Sequence, residues 1–329
     1  MTTAFTLGPY HPALPEPIWY QLQLDGETIR SVQITTGYCA RGVETLLTQQ
    51  PYQDGLKLAE RLCGSAAHHH RLAFCLALEQ LAGVQAPPRA AALRDLFCEI
   101  EVILSHLAWT AHLAYIADLP RAHYLSIELR ERLLEALERS TGQRLLWGLP
   151  IPGGVASAPE LQPLVEALER LKPDLDRLKQ QLIGDRHLQR RTRGLAPLTS
   201  EQASESGLTG PVAQAPNDTY QRIVRRLDEM QDRVDTIEHL LASIPEGPLA
   251  EPFPETLPAG EAEASVEGPQ GRETWQVRCD GSERPAAVKI TTASQRNLAA
   301  VPLTLKGQQL RDALLILTSL DICVACVDK

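Results

Sequence analysis

The chain has 329 residues, 43% hydrophobic and 22% charged, with 41 acidic against 32 basic side chains and a formal net charge of -9. That balance excludes wholesale disorder and argues against bulk nucleic-acid binding, which needs a basic face. No run of 18 apolar residues occurs, so no segment is read as a membrane span, and the start lacks the basic-then-apolar pattern of a secretory signal. The expected location is cytoplasmic.

In chain order, residues 18–24 and 29–36 flank Asp25-Gly26 and predict a hairpin. Residues 55–84 read as one long helical pattern. A second, 88–117, is opened by Pro87-Pro88 and carries Leu93, Phe97, Ile100, Leu104 and Leu107 at helical spacing. Residues 122–140 and 159–183 are amphipathic, and 217–243 form a further helix with Asn217 or Asp218 as N-cap. The Pro-, Gly- and Glu-rich stretch 245–272 reads as an irregular loop. Residues 273–279 and 285–291 predict a second hairpin, and 307–319 a last short helix. The fold class is therefore α+β and mostly helical. One integrated domain is expected, with an N-terminal β region over 1–50, a helical bundle over 51–245 and a C-terminal α+β region over 246–329.

Seven cysteines, an odd number, do not read as a disulfide framework in a cytosolic chain. Cys323-x-x-Cys326 is the most specific local signal, because two thiols at this spacing converge on one soft metal ion. Two buried small hydrophobes is the alternative. Cys63, followed by Gly64, is the candidate third thiolate, while Ala66 stands where a second CxxC would end. Three cysteines and one histidine suit zinc, and His68, His69 and His70 follow closely, although His68 and His69 read first as a solvated helix face. Glu16 and Glu44, each at a strand end, are candidate proton carriers or plain surface carboxylates. No GxGxxG or phosphate loop occurs.

Ordered along the whole chain are Gly8-Pro9-Tyr10-His11-Pro12, Glu16-Pro17, Arg41-Gly42, Glu44, Glu60-Arg61-Leu62-Cys63-Gly64, His70, Ser105-His106-Leu107, Gly207-Leu208-Thr209-Gly210-Pro211 and Ser319-Leu320-Asp321 before the final CxxC. In this order they resemble the large subunit of membrane-bound, energy-converting nickel–iron hydrogenases and its relative, the 49 kDa quinone-site subunit of complex I, an NADH-quinone oxidoreductase. The resemblance implies N-terminal antiparallel strands, a central long-helix bundle and a small C-terminal α+β part. It implies a redox or coupling role inside a membrane oxidoreductase. The implied partners are an iron–sulfur small subunit of the complex I type, which carries the iron–sulfur clusters, and ion-translocating membrane subunits. Electrons, NADH-derived or other, would arrive through partners and leave to a quinone-like acceptor, with the chain held peripherally at the inner face of the cell membrane.

Carried over position by position, Cys63, Cys323 and Cys326 match metal ligands, and Glu16, Glu44 and His70 stand as catalytic candidates. Hydrogenases hold their nickel–iron centre with four thiolates; Ala66 replaces one here, so the nickel site is incomplete. The quinone-contacting His and Tyr of complex I fall at Pro15 and Gly64. A chain ending at Lys329 fits one that needs no trimming after metal loading. The alternatives are a hydrogenase with an unusual ligand such as Ser65 or a nearby His, a non-catalytic coupling subunit, and a zinc protein. His106 and Arg89 are expected to stabilise the bundle.

Overall fold

A computed structural model describes residues 2–329. Strands β1 (Thr2–Leu7), β2 (Trp19–Asp25) and β3 (Thr28–Thr35) form an antiparallel sheet in that order. The β2–β3 hairpin turns at Asp25-Gly26, where Gly26 takes a left-handed φ of 60°. Strand β2 alternates Tyr20, Leu22 and Leu24 into the core.

The predicted helix over 55–84 is in fact interrupted. After α1 (Val43–Thr48) come α2 (Tyr52–Ala59) and α3 (Ala67–Ala82), with residues 60–66 as a loop between them. The apolar periodicity continues through this loop because Leu62, Cys63 and Ala66 are buried there. A period read from composition cannot detect that break.

Helix α4 (Pro88–Ile116) begins with Pro at its first position and is buried on nearly every side. Around it pack α5 (Pro120–Thr141), α6 (Gln162–Ile183) and α10 (Thr219–Ser243), forming one core with Leu107, Leu129, Leu168 and Ile223 fully or almost fully buried. Each such side chain contributes about 1.5–3 kcal/mol through burial. Asp218 caps α10, its side chain accepting from Gln221 N at 2.8 Å while Gln221 returns the bond. Between α5 and α6 lies a small hairpin, β4 (Pro150–Ile151) and β5 (Gly154–Val155). Two buried ion pairs hold it: Arg94–Glu79 at 2.5 Å, with Arg94 also donating to Gly154 O and Ile151 O, and Arg71–Glu60 at 2.8 Å, with Arg71 donating to Pro150 O. Short helices α7 (Arg186–Thr192), α8 (Ser200–Glu205) and α9 (Gly210–Ala213) lead into α10.

The stretch 245–272, expected to be irregular, contains strand β6 (Gly260–Gly268). Its sequence EAEASVE alternates small or apolar with polar residues, and pairing with β7 (Gly271–Cys279) supplies the ladder that composition obscured. β8 (Pro285–Thr291) completes this sheet, which packs on α1–α3 through Leu47, Phe74, Trp275 and Ile290. Gly210 allows the β6–β7 turn to close on α9: a Cβ there would stand 2.4 Å from Gln270 O. The chain finishes with α11 (Ala293–Asn297), α12 (Ala300–Leu305), α13 (Ala313–Leu320) and α14 (Val324–Asp328). α12 and α13 cover the N-terminal sheet through Val301, Leu305 and Ile316, so the two ends of the chain share a core. The final helix was expected over 307–319; it begins at Ala313, after a single 3₁₀ turn. Among the described residues, no helix is long and apolar enough to cross a membrane.

Candidate metal centre and adjoining cavities

Three segments carry the thiols. Cys63 lies in the α2–α3 loop, Cys323 caps α14, and Cys326 lies within it. They form a small buried cluster with Ala66. Cys63 Sγ is 3.4 Å from Cys323 Sγ, and Cys326 Sγ is 3.4 Å from His70 Nε2. Ligand atoms of Cys63, His70 and Cys326 all lie within 4.8 Å of one another. All seven cysteines are free.

The loop and tip are clamped together. Arg41 donates to Arg61 O and Leu62 O at 2.7 Å each and to Ala325 O at 3.3 Å. Thr292 Oγ1 donates to Cys326 O at 2.9 Å, and Cys323 N donates to Ser294 Oγ at 3.0 Å. Glu16 accepts from Val324 N at 2.5 Å and Ala325 N at 3.2 Å.

These contacts set the charges. Hydrogen bonds from Cys323 and Cys326 hold the Cys63 thiol well below the usual range against its burial. The cost falls on Cys326, pushed well above it by the bonds to Cys323 and Cys63. Cys326 favours the Cys323 thiolate, but the bond to Cys63 and burial override it and push Cys323 up as well. Burial would lower His70, but its bond to Cys63 and the negative charges of Glu273 and Cys63 raise it above its ordinary value. Glu16 is pushed up by burial, partly offset by the amides it accepts from. Burial takes Glu273, whose Oε1 has no partner, up to about 7.

A tetrahedral ion with sulfur ligands at ~2.3 Å spaces them about 3.8 Å apart, near the 3.4 Å between Cys63 and Cys323, and Cys326 with His70 lies within the same reach of Cys63. The thiol group does not fit a centre needing four thiolates, since the fully buried Ala66 puts a methyl in the fourth place. Ser65 Oγ, 3.2 Å from Cys63 Sγ, is an oxygen beside the cluster.

Two cavities reach the thiols. One of about 260 Å³ ends at Cys323, walled by Leu14, Ile18, Tyr20 and Trp109, with Glu16, His112, Gln270 and Asp321 among its polar groups. The other, about 400 Å³, touches Cys63 and is lined by Leu104, Arg130, Trp147 and Glu101. Gly64 and Ser65 line both.

Of the sequence candidates, Glu16, His70 and the three cysteines meet here. Glu44 is engaged elsewhere: its Oε1 accepts from Ile290 N at 2.7 Å and Lys329 Nζ at 2.9 Å, tying the C-terminus to β8. The reading of His68 and His69 as a solvated face is overturned, for both are buried. His69 Nδ1 meets Glu101 at 2.6 Å, and His68 Nε2 meets Arg94 O at 3.0 Å. Next to them burial pushes the Cys98 thiol up, but the His69 and His68 imidazoles bring it down to about 7. His106 stays in the bundle, 3.0 Å from Glu229, and Arg89 reaches Gly247 O at 3.4 Å. Sequence reasoning missed Arg41 as a clamp, although the Arg-Gly-x-Glu pattern pointed at it, and missed Trp275, whose indole N–H is 3.3 Å from His70 Nδ1.

Residues 41–118 match the nickel-dependent hydrogenase family, and residues 122–216 and 253–329 match the 49 kDa subunit of respiratory-chain NADH dehydrogenase. The chain is 30% identical to the carbon monoxide-induced hydrogenase of Rhodospirillum rubrum, covering 100% of this chain and 99% of that one. It is 28% identical to an NADH-quinone oxidoreductase subunit of Solibacter usitatus, covering 98% and 96%. A chain in the structure of the membrane-bound sulfane sulfur reductase, an archaeal respiratory membrane complex, superposes with a TM-score of 0.93 at 26% identity, covering 100% and 98%. The chain therefore belongs to the family that unites the 49 kDa subunit of complex I with the large subunit of nickel–iron hydrogenases.

Proposed function

We propose that this chain is the redox and coupling subunit of a complex I-like or hydrogenase-related membrane oxidoreductase, in which a three-thiol site replaces a complete nickel–iron centre. It works at the inner face of the cell membrane beside an iron–sulfur small subunit and ion-translocating membrane subunits. One observation carries the reading: Cys63, Cys323 and Cys326, from opposite ends of the chain, converge at the end of an apolar cavity, with Ala66 in the fourth place. Relatives named as hydrogenase, quinone oxidoreductase and sulfane sulfur reductase support the class of chemistry.

Cys63, Cys323 and Cys326 would hold a soft ion, which supplies a polarising or electron-accepting centre when bound. Glu16, half-buried against the amides of Val324 and Ala325, exchanges a proton with Cys323. Tyr20, Trp109 and Ile18 exclude water and admit a flat or linear apolar acceptor such as a quinone. A second reading, a hydrogenase with an oxygen ligand, is favoured by Ser65 Oγ at 3.2 Å from Cys63 Sγ.

The test is nickel, iron and zinc per chain in the complex purified with its native partners, together with acceptor reduction. No nickel plus reduction of an acceptor supports the proposal. Stoichiometric nickel overturns it in favour of the hydrogenase. Zinc or no metal, with no acceptor reduced, overturns it in favour of a non-catalytic coupling subunit.

A further inference from the structure

We propose that Trp275 fixes the tautomer of His70, so that His70 donates a hydrogen bond to Cys326 and a metal ion here is held by sulfur alone. A coordination position is then left for a ligand arriving through the cavities at Gly64 and Ser65. The inference rests on the thiolate site proposed above.

An indole nitrogen carries a hydrogen and has no lone pair to offer, so it can only donate. Trp275 Nε1 lies 3.3 Å from His70 Nδ1. Nδ1 must therefore present its lone pair, and the proton of the neutral ring sits on Nε2. Nε2 is 3.4 Å from Cys326 Sγ, which places an N–H against sulfur. A nitrogen occupied by its proton cannot ligate. Turning the ring over would set carbon atoms against both Trp275 and Cys326, so the two contacts select the same orientation.

Trp275 cannot turn aside to release Nδ1. It is fully buried, its ring centroid 5.2 Å from that of Phe74 and 6.1 Å from that of His70. Its backbone sits in the centre strand of its sheet, opposite Ala264 on one side and Ile290 on the other. Ligation through Nε2 would move the proton to Nδ1, set two N–H groups head to head and strand the buried indole donor. A metal-bound imidazole ordinarily donates its other N–H to an acceptor. Here the outer partner is a donor, the inverse of that arrangement.

X-ray absorption at the zinc edge tests this on the full chain loaded with zinc. The expected wild-type spectrum has three sulfurs and no imidazole multiple scattering, H70Q leaves it unchanged, and W275F gains an imidazole contribution. An imidazole signature in the wild type that disappears in H70Q overturns the proposal. So does failure of the wild type to hold zinc. Should either variant fail to fold, nitrogen NMR of histidine-labelled wild type at mildly alkaline pH reads the tautomer directly. The histidine in contact with an indole N–H is expected to carry its proton on Nε2, and a proton on Nδ1 overturns the assignment. Neither readout depends on turnover, so its failure is distinct from failure of the proposed redox role.

Discussion

Cys63 and Cys323 lie 260 positions apart in the chain and 3.4 Å apart at their sulfurs. The separation is bridged by two unrelated pieces of packing: α3 pressed on the C-terminal sheet, and α13 pressed on the N-terminal one. The site therefore exists only when both ends of the chain are folded together.

Ala66 is the position where this arrangement can be completed. It is fully buried and packs with Cys63 and Cys326. A66C adds a fourth sulfur to the cluster. Competition with a chelator is expected to show zinc held on the order of tenfold more tightly, about 1.4 kcal/mol, with four sulfurs around the ion. Unchanged affinity with three sulfurs would mean that position 66 faces away from the ion.

Arg41 joins the Cys63 loop to the C-terminal tip with one guanidinium. R41A removes four bonds to carbonyl oxygens, the one to Cys39 O included, and because the side chain is exposed the expected loss is about 2 kcal/mol. Lysine keeps the charge but not the fork, so R41K should recover less than half of it. Thermal denaturation measures the loss, and faster alkylation of Cys63 in R41A reports the loosened clamp. Alkylation at the wild-type rate would argue that Thr292 and Ser294 hold the tip without it.

Much of the helical body was legible because its signals are local. Pro88 starts α4, Asp218 caps α10, and periodic leucines define their faces. The thiol positions were legible through Cys323-x-x-Cys326 and the Cys63-Gly64 motif. What stayed hidden depends on contacts distant in sequence. The break after Ala59 could not be seen because buried apolar residues run through it, and β6 looked like loop until β7 supplied its partner. His68 and His69 gave no sign of burial, because the carboxylate that receives them, Glu101, is on another helix. Trp275 carried no motif at all.

Glu101 supplies what α3 lacks at its own start. Ala66 has no side-chain cap, and the Glu101 carboxylate accepts instead from His68 N at 2.9 Å and His69 N at 3.0 Å. E101Q keeps the shape but turns one acceptor into a donor facing a backbone N–H. The expected loss is about 2–3 kcal/mol in urea unfolding, with E101A at least as severe. Since α3 begins one residue after Ala66, the same change should also lower zinc retention. A variant that loses stability but keeps full zinc affinity would show that the helix start and the thiol loop are uncoupled.

Glu229 makes stability depend on acid. It joins α10 to α4, with its Oε2 3.0 Å from His106 Nε2 and its Oε1 2.9 Å from Arg233. Burial would raise this carboxyl, but His106 and Arg233 hold it down to about 2 from an ordinary 4.5. A folded value below the unfolded one means the stabilisation is complete above pH 4.5 and disappears as pH falls through about 2. Its size is about 2–3 kcal/mol after allowance for the partly exposed side chain. E229Q should therefore unfold more easily than wild type at neutral pH by that amount, and the gap should narrow steadily between pH 4.5 and 2. Denaturant midpoints for both proteins across that range provide the measurement. A gap that stays constant with pH would assign the loss to packing around His106 rather than to the charge on Glu229.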